Sequence, residues 1–119
     1  MVRCQAAGAS MLPSIRDGDL VTLSPVDPQR LKPGQVIAFE TTAGMLAIHR
    51  LVATHSESGR LTFVTRRDAR LGNDASFGVD RLIGQVVDLQ RDGRHVPVKR
   101  PARLWLTRLR LRLRAKLEL

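Results

Sequence analysis

Short apolar runs recur along most of the chain, separated by polar segments or by segments that contain proline and glycine. Many of the runs are rich in β-branched residues, and runs of this length and composition predict strands rather than helices. A charged loop is predicted over 66–81. The pattern therefore indicates a mainly β fold, with strands at 20–23, 36–39, 46–54, 61–65 and 82–89.

Turn residues indicate how some of these strands are connected. A turn of Ser, Glu and Gly predicts a hairpin over 46–65. Asp92-Gly93 is a strong hairpin signal and predicts a second hairpin, which joins 82–90 to 95–98.

The pattern changes after Pro101. Apolar residues then recur at helical spacing, although Arg108 to Arg114 alternate between arginine and leucine, which is a strand-like period. The length of the segment favours a basic amphipathic C-terminal helix. We therefore divide the chain into a domain over 1–98 and a tail over 99–119, whose apolar face comprises Trp105, Leu106, Leu109, Leu113 and Leu117.

The distribution of charge follows the same division. The net charge is +9, and residues 99–119 hold eight of the 20 basic residues but one of the 11 acidic residues. A basic tail predicts an anionic partner. Docking on the β domain and binding to an anionic membrane surface both remain open for the tail. Nucleic acid is the least favoured partner, because aromatic residues that stack on bases make up 3% of the chain.

Length and composition exclude several other classes of protein. The 119 residues suffice for one domain, and the single cysteine, Cys4, permits no internal disulfide. We interpret Cys4 as an incidental thiol. The sequence contains neither a transmembrane run nor the apolar core of a signal peptide. It does not identify the compartment, and a cytoplasmic and a peripheral membrane location are both open. Three histidines and one cysteine at these spacings predict no metal site, and no cofactor is implied.

The first candidate for a catalytic motif is the segment G-A-S-M-L-P-S-I at 8–15, which is followed by D-G-D at 17–19. Small neighbours leave the hydroxyl of Ser10 approachable, although an isolated serine of this kind is usually part of a surface turn. Four further motifs follow in order along the chain. They are P-G-Q-V-I-A-F at 33–39, A-I-H-R-L-V at 47–52, F-V-T-R-R-D-A at 63–69 and L-I-G-Q-V-V at 82–87.

Together these motifs resemble those of the signal peptidase I superfamily, which includes the self-cleaving SOS repressor domains. The histidine followed by arginine at 49–50 resembles the archaeal and endoplasmic-reticulum type, since bacterial-type members have lysine there. The resemblance covers roughly residues 8 to 90. It implies a β-rich catalytic domain that cleaves signal or leader peptides after small residues such as alanine.

The resemblance also implies roles for individual residues. Ser10 is expected to be the nucleophile, with its N–H as one oxyanion donor, and His49 the general base. Either Asp74 or Asp68 is expected to orient the imidazole. We favour Asp74, because an aspartate in a loop such as Asp68 often caps its own turn.

The sequence departs from the family at several positions. Gly8 stands where many lysine-type relatives have a hydroxyl residue, so a second oxyanion donor is not evident. Arg67 stands where the family has glycine, and it would strain the loop if that glycine needs a positive φ. Typical members have a membrane anchor just before the serine, whereas nine residues precede Ser10 here. An anchor-free form and an anchor outside this sequence are both open.

Two other classes of function remain possible. One is a catalytically weak peptide-binding or regulatory module with the same fold. The other is a basic adaptor that binds a membrane or nucleic acid through the tail.

Overall fold

The computed structural model describes residues 1–98. Of these residues, 49% lie in strands and 6% in short helices, so the predicted mainly β fold is confirmed. The predicted helix over 99–119 lies outside the described residues. No helix within 1–98 has the length and apolar character needed to cross a membrane.

One antiparallel sheet of eight strands forms the domain and curls into a half-barrel. Its strand order is β1-β2-β7-β3-β4-β5-β6, and β8 pairs with β7. Two single-turn 3-10 helices occupy connections, at Pro28–Arg30 and Val79–Arg81. The strands are β1 Val2–Gln5, β2 Leu20–Ser24, β3 Val36–Glu40, β4 Leu46–Glu57, β5 Arg60–Arg66, β6 Phe77–Gly78, β7 Leu82–Arg91 and β8 Arg94–His95.

The sheet is buried on both faces around β3. Val36 and Ala38 belong to one core cluster with Met11, whereas Ile37 and Phe39 belong to a second cluster with other side chains. Successive side chains of a strand point to opposite faces, so an uninterrupted apolar run is the pattern expected of such a strand. This central position fixes the neighbouring strand β4, which carries His49.

The predicted hairpins are present, with changed bounds. Strands β4 and β5 form the first, and β7 and β8 the second. Strand β8 ends at His95, so the prediction that it spans 95–98 was wrong in extent. The predicted loop over 66–81 contains the short strand β6, and strand β1 was not predicted.

Candidate active site

His49 lies in β4 opposite Ile37 of β3 and is buried, with 8% of its surface exposed. The ring of Phe39 packs edge-on against the imidazole at a centroid distance of 5.4 Å. Nδ1 of His49 lies 2.8 Å from Oδ2 of Asp74. A carboxylate can only accept a hydrogen bond, so Nδ1 donates, which leaves Nε2 of the neutral ring as a proton acceptor.

Asp74 is itself held by Thr65, the sixth residue of β5. The Thr65 hydroxyl donates to Oδ2 of Asp74 over 2.8 Å, and the Asp74 N–H donates to the Thr65 carbonyl over the same distance. Thr65 is fully buried. Sequence reasoning missed its role, although it is the threonine of the F-V-T-R-R-D-A motif.

The second aspartate candidate is engaged elsewhere. Arg50 donates from Nε and Nη2 to the two carboxylate oxygens of Asp68, each over 2.8 Å. The two side chains are 7% and 2% exposed, so they form a buried bidentate ion pair. Asp68 makes no hydrogen bond to His49 within the described domain. The expectation that Asp68 helps to orient the imidazole, or caps its own turn, is therefore corrected to an ion pair with Arg50.

Arg50 also connects three segments around the site. Its Nη1 donates to the Gly34 carbonyl over 2.7 Å, and its Nη2 lies 3.3 Å from the Ser14 hydroxyl. Buried arginine is seldom found without such partners. The arginine of the A-I-H-R-L-V motif thus joins β4, the turn before β3 and the loop that carries Ser10.

The Ser10 loop, residues 6–19, joins β1 to β2 and packs on the turn after β5. The Ala69 N–H donates to the Ser10 carbonyl over 3.0 Å, and the Asp68 N–H donates to the buried sulfur of Met11 over 3.4 Å. Gly8 has a φ of +89°, a conformation that favours glycine, with open space where a Cβ would lie. Its N–H donates to the Asp17 carboxylate over 2.9 Å.

A second ion pair, between the buried Asp19 and the partly exposed Arg91, fixes the far end of this loop. Arg91 donates from Nε and Nη2 to the two oxygens of Asp19, over 2.9 and 2.8 Å. The Arg16 N–H donates to the same carboxylate over 2.8 Å. These bonds hold the pKa of Asp19 below its usual value, with the Arg91 hydrogen bond as the main cause.

Ser10 and His49 line one groove of about 630 Å³, which we call the Ser10 groove. Residues of β1 and of the first part of β4 form its sides, and Arg67 also lines it. Within residues 1–98, no hydrogen bond joins the Ser10 hydroxyl to the His49 ring. The Ser10 N–H likewise has no acceptor there, so it is available as a donor to a bound group.

Burial lowers the pKa of His49 below its usual value of 6.5, because the charged imidazolium loses its solvent. The Asp74 carboxylate opposes this shift, and the positive charge of Arg67 adds to it. The lowered pKa keeps the ring neutral at neutral pH, which is the protonation state that accepts a proton.

Arg67 does not strain its loop. Among the described residues other than glycine, positive φ angles occur only at Ser58 and Asp92. The strain considered for an arginine at this position is therefore absent. Its guanidinium instead points towards Asp74, with Nε 3.8 Å from Oδ1.

The remaining thiol and imidazoles lie apart from this arrangement. Cys4 borders the Ser10 groove, but burial raises the pKa of its thiol and so disfavours the thiolate. His55 and His95 are exposed. Across residues 1–98, no three His, Cys, Asp or Glu side chains are grouped so that they could hold a metal ion.

Comparisons of the chain with protein-family models, with curated proteins and with solved structures found no match.

Proposed function

We propose that the protein is a serine endopeptidase of the signal peptidase I type that cleaves signal or leader peptides after small residues. The observation that carries this proposal is the hydrogen bond between the buried His49 and Asp74, at a groove that Ser10 also lines. Ser10 is the nucleophile, His49 the general base and Asp74 the group that orients His49.

The substrate binds as an extended strand in the Ser10 groove. Strand β1 is the first strand of the sheet, so its outer edge is unpaired within the described domain. Strand β4 begins at Leu46 but pairs with β5 only from Arg50 onward, which leaves a second short edge. Both edges border the groove, and unpaired strand edges bind extended peptides through their backbone groups.

The groove offers an apolar surface to substrate side chains. Its lining near His49 includes Ala47, and its lining near Ser10 includes Ala6 and Ala7. Such a lining accepts alanine, and the preference for a small residue before the cleaved bond is what the resemblance to the signal peptidase I superfamily implies.

The reaction proceeds through an acyl-enzyme. The Ser10 oxygen attacks the peptide carbonyl carbon while Nε2 of His49 takes the hydroxyl proton. Asp74 stabilises the resulting imidazolium, and the Ser10 N–H donates to the oxyanion. The C–N bond breaks as His49 returns the proton to the leaving amine. Water then attacks the ester carbonyl while His49 takes a proton from it. The ester C–O bond breaks to release the acid product, and His49 returns the proton to the Ser10 oxygen.

The hydrogen bond between Ser10 and His49 forms when substrate closes the groove. Catalytic hydrogen bonds are often long in free enzymes and tighten when the substrate binds. Backbone pairing of a peptide with β1 and β4 would draw the two sides of the groove together.

Trapping with a fluorophosphonate probe tests the proposal. We expect the probe to label Ser10 in the native chain, as mapped by mass spectrometry, and to leave Ser10→Ala unlabelled. His49→Ala should lose both labelling and peptide cleavage. The variant with both Ser10→Ala and His49→Ala should cleave peptide little more slowly than either single variant, because the two groups act as a unit. Normal peptide turnover by Ser10→Ala would exclude the proposed mechanism.

A peptide-binding module without turnover is the second candidate, favoured by the absence of a Ser10–His49 hydrogen bond in the described domain. It predicts that alanine-containing peptides bind the native chain and Ser10→Ala equally, while neither cleaves them and the probe labels no serine. Labelling at Ser10 distinguishes the two candidates.

A further inference from the structure

Arg67 is the one permanently charged side chain among the described residues that line the Ser10 groove. Most of the lining is apolar, so a positive charge here has a large influence on what the groove accepts. About a third of the side chain is exposed, which leaves it accessible to a ligand in the groove.

The side chain of Arg67 makes no hydrogen bond within the described domain, and its ion pair with Asp74 is a long one. Its Nε is buried and has no hydrogen-bond acceptor among the described residues. Oδ1 of Asp74 is the nearby acidic oxygen, but the separation of 3.8 Å is too long for a hydrogen bond. Oδ2 of Asp74 is already occupied by His49 and Thr65.

Nε itself is buried, so a ligand in the groove meets the exposed part of the side chain, where an acceptor can pair with the guanidinium. The fork of an arginine matches the two oxygens of a carboxylate. Among the side chains of a peptide, those of aspartate and glutamate provide this group.

We propose that Arg67 is a specificity-determining residue that binds an acidic side chain of the peptide substrate close to the scissile bond. The proposal rests on the proposed peptidase function and adds a charge preference to it. Arg67 lies 3.8 Å from Asp74, which contacts His49, so the acidic residue lies within about two residues of the bond that is cut.

Arg67 could instead affect cleavage only by changing the electrostatic environment of the general base, His49. Its charge lies near His49 and Asp74, and Asp68 is the other charged group that acts on the imidazole. A purely electrostatic role predicts that removal of Arg67 shifts the pH dependence of cleavage equally for all peptides. Binding of an acidic residue predicts a change that depends on the peptide.

Pairs of peptides that differ only in one residue, glutamate or glutamine, separate these roles. The variable residue is placed in turn at each of the two positions on either side of the scissile bond, and kcat/KM is compared within each pair. For the native enzyme we expect glutamate to be preferred about tenfold or more at one position, with less preference at high salt. Arg67→Met should remove that preference, and Arg67→Lys should retain part of it.

Arg66→Met is the matched control. It removes the same charge from the adjacent residue, which does not line the groove, and should keep the glutamate preference. Equal cleavage of glutamate and glutamine peptides by the native enzyme would overturn the proposal. A preference that persists in Arg67→Met would also overturn it, as would a shift in pH dependence that is the same for every peptide.

Binding to Ser10→Ala makes the test independent of turnover. Fluorescence anisotropy of labelled peptides should show the same glutamate preference in Ser10→Ala and its loss in Ser10→Ala/Arg67→Met. A charge preference in binding without cleavage by the native chain would refute the peptidase function but support the role of Arg67. Cleavage without any charge preference would support the peptidase function and refute the role of Arg67. Absence of both binding and cleavage would refute both.

Discussion

At the scale of single residues, the protonation state of His49 sets the pH range of the proposed reaction. Burial is the main cause of its lowered pKa, and Arg67 lowers it further against the opposing effect of Asp74. A base must be neutral to accept a proton, so lowering its pKa extends activity towards acid. We expect kcat/KM to rise with pH through a midpoint below 6.5 and then to level off, as measured on an alanine-containing peptide. Activity that appears only above about pH 8.5 would exclude His49 as the base.

The two aspartates predict opposite effects of the same substitution. Asp74→Asn should lower kcat by about 100-fold or more with an unchanged melting temperature, because an amide can hold the wrong imidazole tautomer. Asp68→Asn should cost about 3–5 kcal/mol of stability, because it leaves the buried Arg50 unpaired.

Denaturant unfolding and kinetics on the same two variants check this ranking. Asp88→Asn is a suitable control, since Asp88 pairs with the exposed His95 and should affect neither property. If Asp74→Asn proved the destabilised variant and Asp68→Asn the slow one, the assignment of the two aspartates would be reversed.

The sequence allowed both candidates to be named, together with His49 as the expected partner, but it did not indicate the partner of Asp68. Asp74 was favoured because an aspartate such as Asp68 often caps its own turn. The ion pair of Arg50 with Asp68 joins residues 18 positions apart and depends on how β4 packs beside the turn after β5. No local pattern encodes such a contact.

At the scale of elements, strands with continuous or alternating apolar residues were predictable, as was a hairpin with a strong turn signal. Short or polar strands without such a signal were not. Strand β1 has the sequence V-R-C-Q and is largely exposed, so its hydrophobic pattern is weak. It forms because its backbone pairs with β2, with Cys4 opposite Val21. Strand β6 has two residues and depends in the same way on pairing with β5.

Gly84 of β7 lies so close to the backbone of β2 that a larger residue should not fit at this position. A Cβ at this position would lie 2.6 Å from the backbone carbonyl oxygen of Ser24, which belongs to the adjacent strand β2. Backbone cannot move aside as a flexible side chain can, so Gly84→Ala should cost about 1–3 kcal/mol. Thermal unfolding measures the loss. Gly72→Ala, where a Cβ meets open space, should leave the melting temperature within about a degree. Equal stability of the two variants would contradict the close approach.

At the scale of the whole molecule, two arginine side chains of the sheet hold the Ser10 loop. Arg50 of β4 contacts the Ser14 hydroxyl of the loop, and Arg91 of β7 forms an ion pair with Asp19. The packing of Met11 and Ile15 and the hydrogen bond from Ala69 to the Ser10 carbonyl add to these contacts. Together they explain how a loop of small and polar residues can present Ser10 in a defined position.

The charge distribution of the whole chain leads to a prediction about residues 99–119. Their eight basic residues and their Trp and Leu face predict binding to an anionic bilayer, where each basic residue contributes about 1 kcal/mol. The 119-residue chain should therefore sediment with phosphatidylserine vesicles at low salt and be released at high salt. A variant of the same length with Arg108, Arg110, Arg112 and Arg114 changed to glutamine should lose most of this binding and keep its peptidase activity. Neutral phosphatidylcholine vesicles provide the control. If the native protein does not bind the anionic vesicles at low salt, the basic tail is not a membrane anchor.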